Sequence, residues 1–225
     1  MPTEGLININ GDSVQVLQIL FLTTMITLLP SLAVMMTSFA KYVISLSFLR
    51  TAMGTQQNPP NMVLVGLAIF LTLLTMQPVF QQINTQALEP YQEEEISEEE
   101  FLDRAVVPLK RFMLDNTDEG ALGLYCDLAG METPLGEASV DLPLHIVVPS
   151  FMTSELKEAF LIGFLLYIPF VLIDIVVAST LMSMGMIMLP PAMISTPFKL
   201  LLFISVNGWE MLFAALVRGV SLGLP

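Results

Sequence analysis

A single cysteine, Cys126, and a single histidine, His145, stand among 225 residues. One cysteine excludes an internal disulfide and a cysteine metal cluster. One histidine leaves little room for a histidine-based metal or catalytic centre. Both read as structural residues. Charge is scarce too: 13% of the residues are charged, about half the usual share of a soluble domain. The sequence contains no G-x-x-x-x-G-K-[ST], G-x-G-x-x-G or H-E-x-x-H motif, so no nucleotide-hydrolysing or zinc-protease apparatus is legible. The reading is of a protein that is not an enzyme, with no cofactor, no metal and no nucleic-acid partner. The opening MPTEGLININGD also lacks a basic region. No standard signal peptide is read there; either one precedes the supplied chain or the first apolar run acts as the insertion signal.

What is present is apolar mass: 54% of residues are hydrophobic and the mean hydropathy is +0.74. The expected class is therefore an integral membrane protein. The net charge of −13 is not spread along the chain, because residues 81–150 hold 15 of the 21 acidic and 3 of the 8 basic residues. Four apolar segments flank that acidic stretch: about 16–40 broken by Pro30, 62–80, 160–184 with Pro169 inside, and 200–217. Each approaches the ~20 residues a helix needs to cross hydrocarbon. Recurrent Thr, Ser, Gly and Pro suit helices packed on helices. Lys41, Arg50 and Lys199 flank the first and third connectors, which by the positive-inside tendency places those connectors in the cytoplasm and the acidic segment outside. Arg50 reads equally as such an anchor or as something else. Asn58 and the prolines after it place the start of the second helix near Pro60.

The acidic segment shows local order. Ser97 and Glu100 fit a capping box, with Ile96 and Phe101 placed for a hydrophobic staple, and Pro108 is expected to end or kink the helix that follows. The glutamates 93–95 and 98–100 read as a solvated face; a calcium loop would need its internal glycine.

Residues 181–203, LMSMGMIMLPPAMISTPFKLLLF, carry the most information. Met182, Met184, Met186, Met188 and Met193 crowd a connector broken by Pro190, Pro191 and Pro197. Methionine is flexible and polarizable and can close around changing shapes. Such a connector suits a constriction or gate, although methionine also fills gaps in any helical membrane protein. Glu155 and Lys199 each sit at the edge of an apolar run, and each either snorkels to the interface or seeks a partner. Asp174, inside FVLIDIVVAS, is a functional candidate by default, for example in proton coupling. The favoured reading is a hydrogen bond to a neighbouring helix or exposure to a watery cavity.

Four blocks carry a resemblance: RTAMGTQQNPPNMVLVGLAIFLTLLTMQP (50–78), SELKEAFLIGFLLYIPFVLIDIVVAS (154–179), MGMIMLPPAMISTPFKLLLF (184–203) and NGW (207–209). Together they resemble the FliP family, core subunits of the flagellar protein export gate, from about Asp12 to Arg218 and most weakly over 85–140. The resemblance implies a homo-pentamer joined by FliQ-like, FliR-like and FlhB-like subunits, with unfolded flagellar proteins passing through its centre. It implies a place in the bacterial inner membrane at the flagellar basal body, with the acidic insert extracytoplasmic. Virulence injectisomes hold a second branch of the family, and the Pro190-Pro191 pair and PFKLLLF look flagellar. The resemblance also implies a pore gasket at Gly185–Met188, with Met186 and Met188 as the seal, Met182 and Met184 behind them, and Ile187 standing where the family usually has methionine. It further implies a salt bridge between Glu155 and Lys199 of neighbouring subunits.

The expected architecture is thus an all-α membrane protein: four long hydrophobic kinked helices in two hairpins (1–84 and 151–225) around an acidic helical insert (85–150), assembling into a ring. The resemblance modifies the simple topology, since these helices look like spans but stack in a conical assembly, much of it above the membrane plane. The rival readings are a small-solute or ion transporter, which would line a midplane site with polar groups, and a scaffold indifferent to the residues at Met186 and Met188.

Overall fold

The computed structural model of the protein describes residues 6–9, 12–134, 136–186 and 188–221. A short antiparallel ribbon, β1 (Leu6–Ile9) and β2 (Asp12–Gln15), leads into the first helix. Everything after it is helix and connection.

Helix α1 (Val16–Met35) and helix α2 (Phe39–Met53) meet at a bend of 62°. The first apolar segment therefore ends earlier than expected, and most of the expected 41–60 connector is helix. Hydropathy misplaced it because Lys41, Tyr42 and Ser45 look like connector residues yet are buried. Gly54, at φ +72°, ends α2 in the left-handed conformation that favours glycine. Helix α3 (Asn61–Ile83) starts directly after Pro60. It passes through a π turn (Asn84–Leu88) into α4 (Glu89–Gln92) as one continuous rod. That wide turn lies just ahead of Pro90, whose ring would clash with a carbonyl in regular α geometry.

The insert begins with α5 (Glu98–Asp115), where Ser97 Oγ accepts the Glu100 amide at 3.3 Å. The Glu100 carboxylate turns to Arg104 at 2.6 Å, so the box is capped on one side. Phe101 packs on Tyr91, ring centres 5.0 Å apart, and closes the corner between α4 and α5. Pro108 does not end the helix: it lies buried within α5, which runs on to Asp115. One lost backbone bond is outweighed there by packing on α3 and α7. Helix α6 (Glu119–Leu128) is capped by Asp118, which accepts the Gly120 amide at 2.8 Å and pairs with Lys157. The Lys157 hydrogen bond, then the Gly120 amide, hold the Asp118 carboxyl below the usual range.

Helix α7 (Leu144–Ser183) has 40 residues, a length of about 60 Å. That is roughly twice the hydrocarbon thickness of a bilayer, so the helix is longer than a perpendicular crossing needs. It crosses the expected boundary at 150/151 and begins well before the expected Phe160. The reason is the polar run Ser150 to Glu158, which hydropathy cuts off although Ser150, Ser154 and Glu155 are buried in the fold. Phe112 of α5 meets Phe151 edge-on at 5.8 Å, and Tyr125 of α6 bonds Thr153 at 3.0 Å. The insert is therefore built onto α7.

Helices α8 (Pro191–Ser205) and α9 (Gly208–Arg218) replace the expected single segment 200–217. They bend by 64° at Asn207, which has φ +51°. Phe203, Trp209 and Phe213 stack across that bend. The end of α9 is tied to the insert, because the Asn116 side-chain amide makes two bonds of 2.7 and 2.8 Å to the Ser221 backbone.

The contacts fix how the rods run. Tyr42 donates to Thr75 at 3.1 Å and Arg50 to Asn61 at 2.6 Å, so α2 and α3 form an antiparallel hairpin. Phe170 against Phe203 and Asp174 against Ser195 make α7 and α8 a second one. Lys41 meets Glu155 while Phe48 meets Phe160 and lies over Gly163, so α2 runs parallel to α7. Both hairpin turns consequently lie at the same end. Two helices, Asn61–Gln92 and Leu144–Ser183, are long and apolar enough to cross a membrane, or up to four if each bent pair counts as one span.

Candidate functional site

The methionine connector is a compact turn with a fixed base. Gly185 takes φ +73°, its amide donates to Met182 O at 3.0 Å, and the Met186 amide donates to Leu181 O at 3.0 Å. This is the Schellman pattern, which satisfies the last carbonyls of α7. At the other side Pro191 opens α8 with its fixed φ and no amide to satisfy. The turn between is left with its side chains outward: Met182 is 64% exposed, Met184 68%, Met186 41% and Met188 96%. Ile187, the remaining expected gasket residue, lies outside the described residues. A Cβ on Gly185 would meet nothing within 4 Å, so Gly185→Ala tests backbone conformation alone. It should cost about 1–2 kcal/mol, the penalty of a left-handed residue with a side chain. In detergent the melting temperature should fall by a few degrees (about 2–4 °C per kcal/mol at this size); an unchanged melt would mean the turn is not held in this shape.

The structure does not bring Glu155 and Lys199 together within one chain. Glu155, fully buried, lies 2.9 Å from Lys41, which also bonds Glu158 at 3.0 Å. The Lys41–Glu155 approach is an ion pair set off the hydrogen-bond direction: neither Glu155 oxygen has a hydrogen-bond partner among the described residues. The lysine charge is thus what offsets the burial of that carboxylate. Lys199 instead donates to Asp174 Oδ2 at 2.6 Å and to the Ala52 carbonyl at 3.2 Å. Asp174 also accepts from Ser195 Oγ at 2.6 Å. An inter-subunit bridge between Glu155 and Lys199 would have to draw each away from these partners.

Lys41 is the residue that sequence reasoning missed. The sequence reading makes it a connector cation at the membrane edge, and Lys199 likewise, yet both are buried and neutralised inside the fold. They cannot carry the positive-inside argument. The signal available for Lys41 was the polar stripe Ser38, Lys41, Ser45 at helical spacing. Arg50 donates to Pro59 O and Asn61 Oδ1, fastening the α2–α3 connector.

The outer faces are strongly apolar. Leu20, Leu22 and Ile26 on α1 and Phe160, Phe164 and Leu172 on α7 are all exposed. Contiguous surface of this kind belongs against lipid or other protein, not water.

Fold and site together define a helical membrane protein whose charged residues hold helices to each other and whose conspicuous free surface is an apolar turn. The FliP family model matches residues 22–216, and the chain belongs to the FliP family. It is 47% identical over 208 residues to the flagellar biosynthetic protein FliP of Aquifex aeolicus, covering 92% of this chain and 87% of that protein. Identity to the protein of the same name from Bacillus subtilis is 48% over 201 residues, covering 89% and 90%. For that of Caulobacter vibrioides it is 44% over 225 residues, covering 98% and 84%.

Proposed function

We propose that the chain is a component of the flagellar protein export apparatus whose methionine turn closes a pore within a ring of identical subunits. The observation that carries this reading is the row of exposed methionines on a turn braced at both ends. Side chains left exposed by the described residues of their own chain meet across the axis when copies are arranged with this turn facing it. Apolar side chains meeting there exclude water and ions by dewetting. A translocating polypeptide displaces them, and the unbranched methionine rotamers reclose behind it.

The ring is read as a homo-pentamer, with FliQ-like, FliR-like and FlhB-like subunits as partners, unfolded flagellar proteins as cargo and the insert outside the cytoplasm. Three relatives named flagellar biosynthetic protein FliP favour the flagellar over the injectisome branch. The great length of α7 and the buried cations support an assembly that rises out of the membrane plane. A transporter would need polar groups free to face a solute, and Asp174 is already engaged by Ser195 and Lys199.

The test is ion leak through the assembled complex. Met186→Ala with Met188→Ala should raise it about tenfold or more, the effect of roughly 1.4 kcal/mol on a closed–open equilibrium. Conductance equal to wild type, with the complex intact, would sink the gate and leave a scaffold.

A further inference from the structure

We propose that Lys199 is the positioning residue of the methionine turn, acting through Asp174, Ser195 and the C-terminal end of α2. The inference rests on the gate reading and adds the device that holds the gate in place. Helix α7 leads into the turn and α8 leads out, so the turn's position depends on how these two helices are locked. Asp174 of α7 receives two bonds from α8, at 2.6 Å from Ser195 Oγ and at 2.6 Å from Lys199 Nζ. The same ammonium reaches the Ala52 carbonyl at 3.2 Å.

Ala52 lies in the last turn of α2, where carbonyls lack an amide partner within the helix and the helix end carries partial negative charge. A cation supplied from another helix satisfies both. Gly54 shows how closely α8 sits on that end: a Cβ there would lie 3.2 Å from Thr196 Oγ1. One buried ammonium therefore joins three elements on the turn side of the bundle, with Asp174 roughly 15 Å along α7 from Met184. A second ion pair, Lys41–Glu155, buried on both sides, joins α2 to α7 nearer the opposite end of α2. Removing the Lys199 contacts frees the turn end of the bundle while that second pair keeps α2 on α7.

The experiment measures ion leak through the assembled export complex carrying the full chain, with the Met186→Ala/Met188→Ala pair as reference. Lys199→Gln and Asp174→Asn should each raise leak about tenfold, and the double variant no further, since both break one clamp. Lys199→Arg keeps the cation and should stay near wild type. Leak is read per assembled complex, so that a lower yield of complex in these variants does not mask the effect. Ser195→Ala leaves no buried charge unpaired and should leak less than Lys199→Gln but more than wild type; it carries the test if Lys199→Gln lowers the yield of complex.

Wild-type leak in Ser195→Ala and Asp174→Asn while the methionine pair leaks overturns the clamp and leaves the gate standing. Leak reproduced by Glu155→Gln but not by Asp174→Asn also overturns it, because Lys199 would then act through a neighbouring subunit's Glu155. A methionine pair that does not leak removes the gate, and the clamp with it.

Discussion

Lys41→Met should strongly destabilise this protein. It removes the cation beside a carboxylate that is fully buried and has no hydrogen-bond donor among the described residues. Glu158 can turn to solvent, since its side chain is 40% exposed; Glu155 cannot. Breaking a buried pair from one side costs about 3–5 kcal/mol, whereas replacing both partners by apolar groups is often neutral. The melting temperature of Lys41→Met in detergent should therefore fall by about 6–20 °C. Lys41→Met with Glu155→Leu should recover most of that loss. A single variant that melts with wild type, or a double variant that melts lower than the single, would show that the pair does not hold α2 on α7.

Gly163→Ala should also destabilise, against the ordinary sign of such a change. Glycine inside a helix costs about 1 kcal/mol relative to alanine, so where space is free the substitution stabilises. At Gly163 there is no space: a Cβ would lie 2.5 Å from Phe48 Cγ and Cδ2 and 2.9 Å from Phe48 Cβ. The Phe48 Cβ is fixed to the α2 backbone, so ring rotation alone does not clear the clash and α2 must shift off α7. Overpacking of this kind costs about 1–3 kcal/mol. The comparison is Gly66→Ala in α3, where a Cβ meets nothing within 4 Å and stability should rise or hold. Thermal unfolding of the two variants side by side decides it; a stabilised Gly163→Ala would mean that α2 and α7 do not touch there.

Both predictions fall on the α2–α7 contact, where the sequence was least legible. Hydropathy located the apolar runs because a helix that lies against lipid or apolar neighbours must be apolar over many residues. It failed where a helix buries polar residues. Lys41, Ser45 and Tyr42 made α2 look like a connector, and Ser150 to Glu158 hid the first turns of α7. The bends at Met36–Ser38 and Asn207 are not set apart by hydropathy, because Thr37, Ser38 and Asn207 are short polar interruptions between long apolar runs. The Asn10-Gly11 pair between LINI and DSVQ is a hairpin signal in the sequence. Pro108 does not end α5, since a proline sets a local cost that tertiary packing can outweigh.

The methionine turn shows what the chain determined by itself. Gly185, Pro190 and Pro191 stop one helix and start the next, and four methionines lie between or beside them; these are local properties, set by φ, by missing amides and by side-chain type. The membrane class, the acidic insert and the resemblance to the FliP family were legible for the same reason, being properties of contiguous sequence. The pairing of charges was not. Lys41, Glu155, Asp174 and Lys199 lie far apart along the chain, and nothing in their spacing says which meets which. Only the parallel packing of α2 on α7 and the antiparallel return of α8 give Lys41 to Glu155 and Lys199 to Asp174, because an ion pair is decided by distances of a few ångströms that the assembled helices alone define.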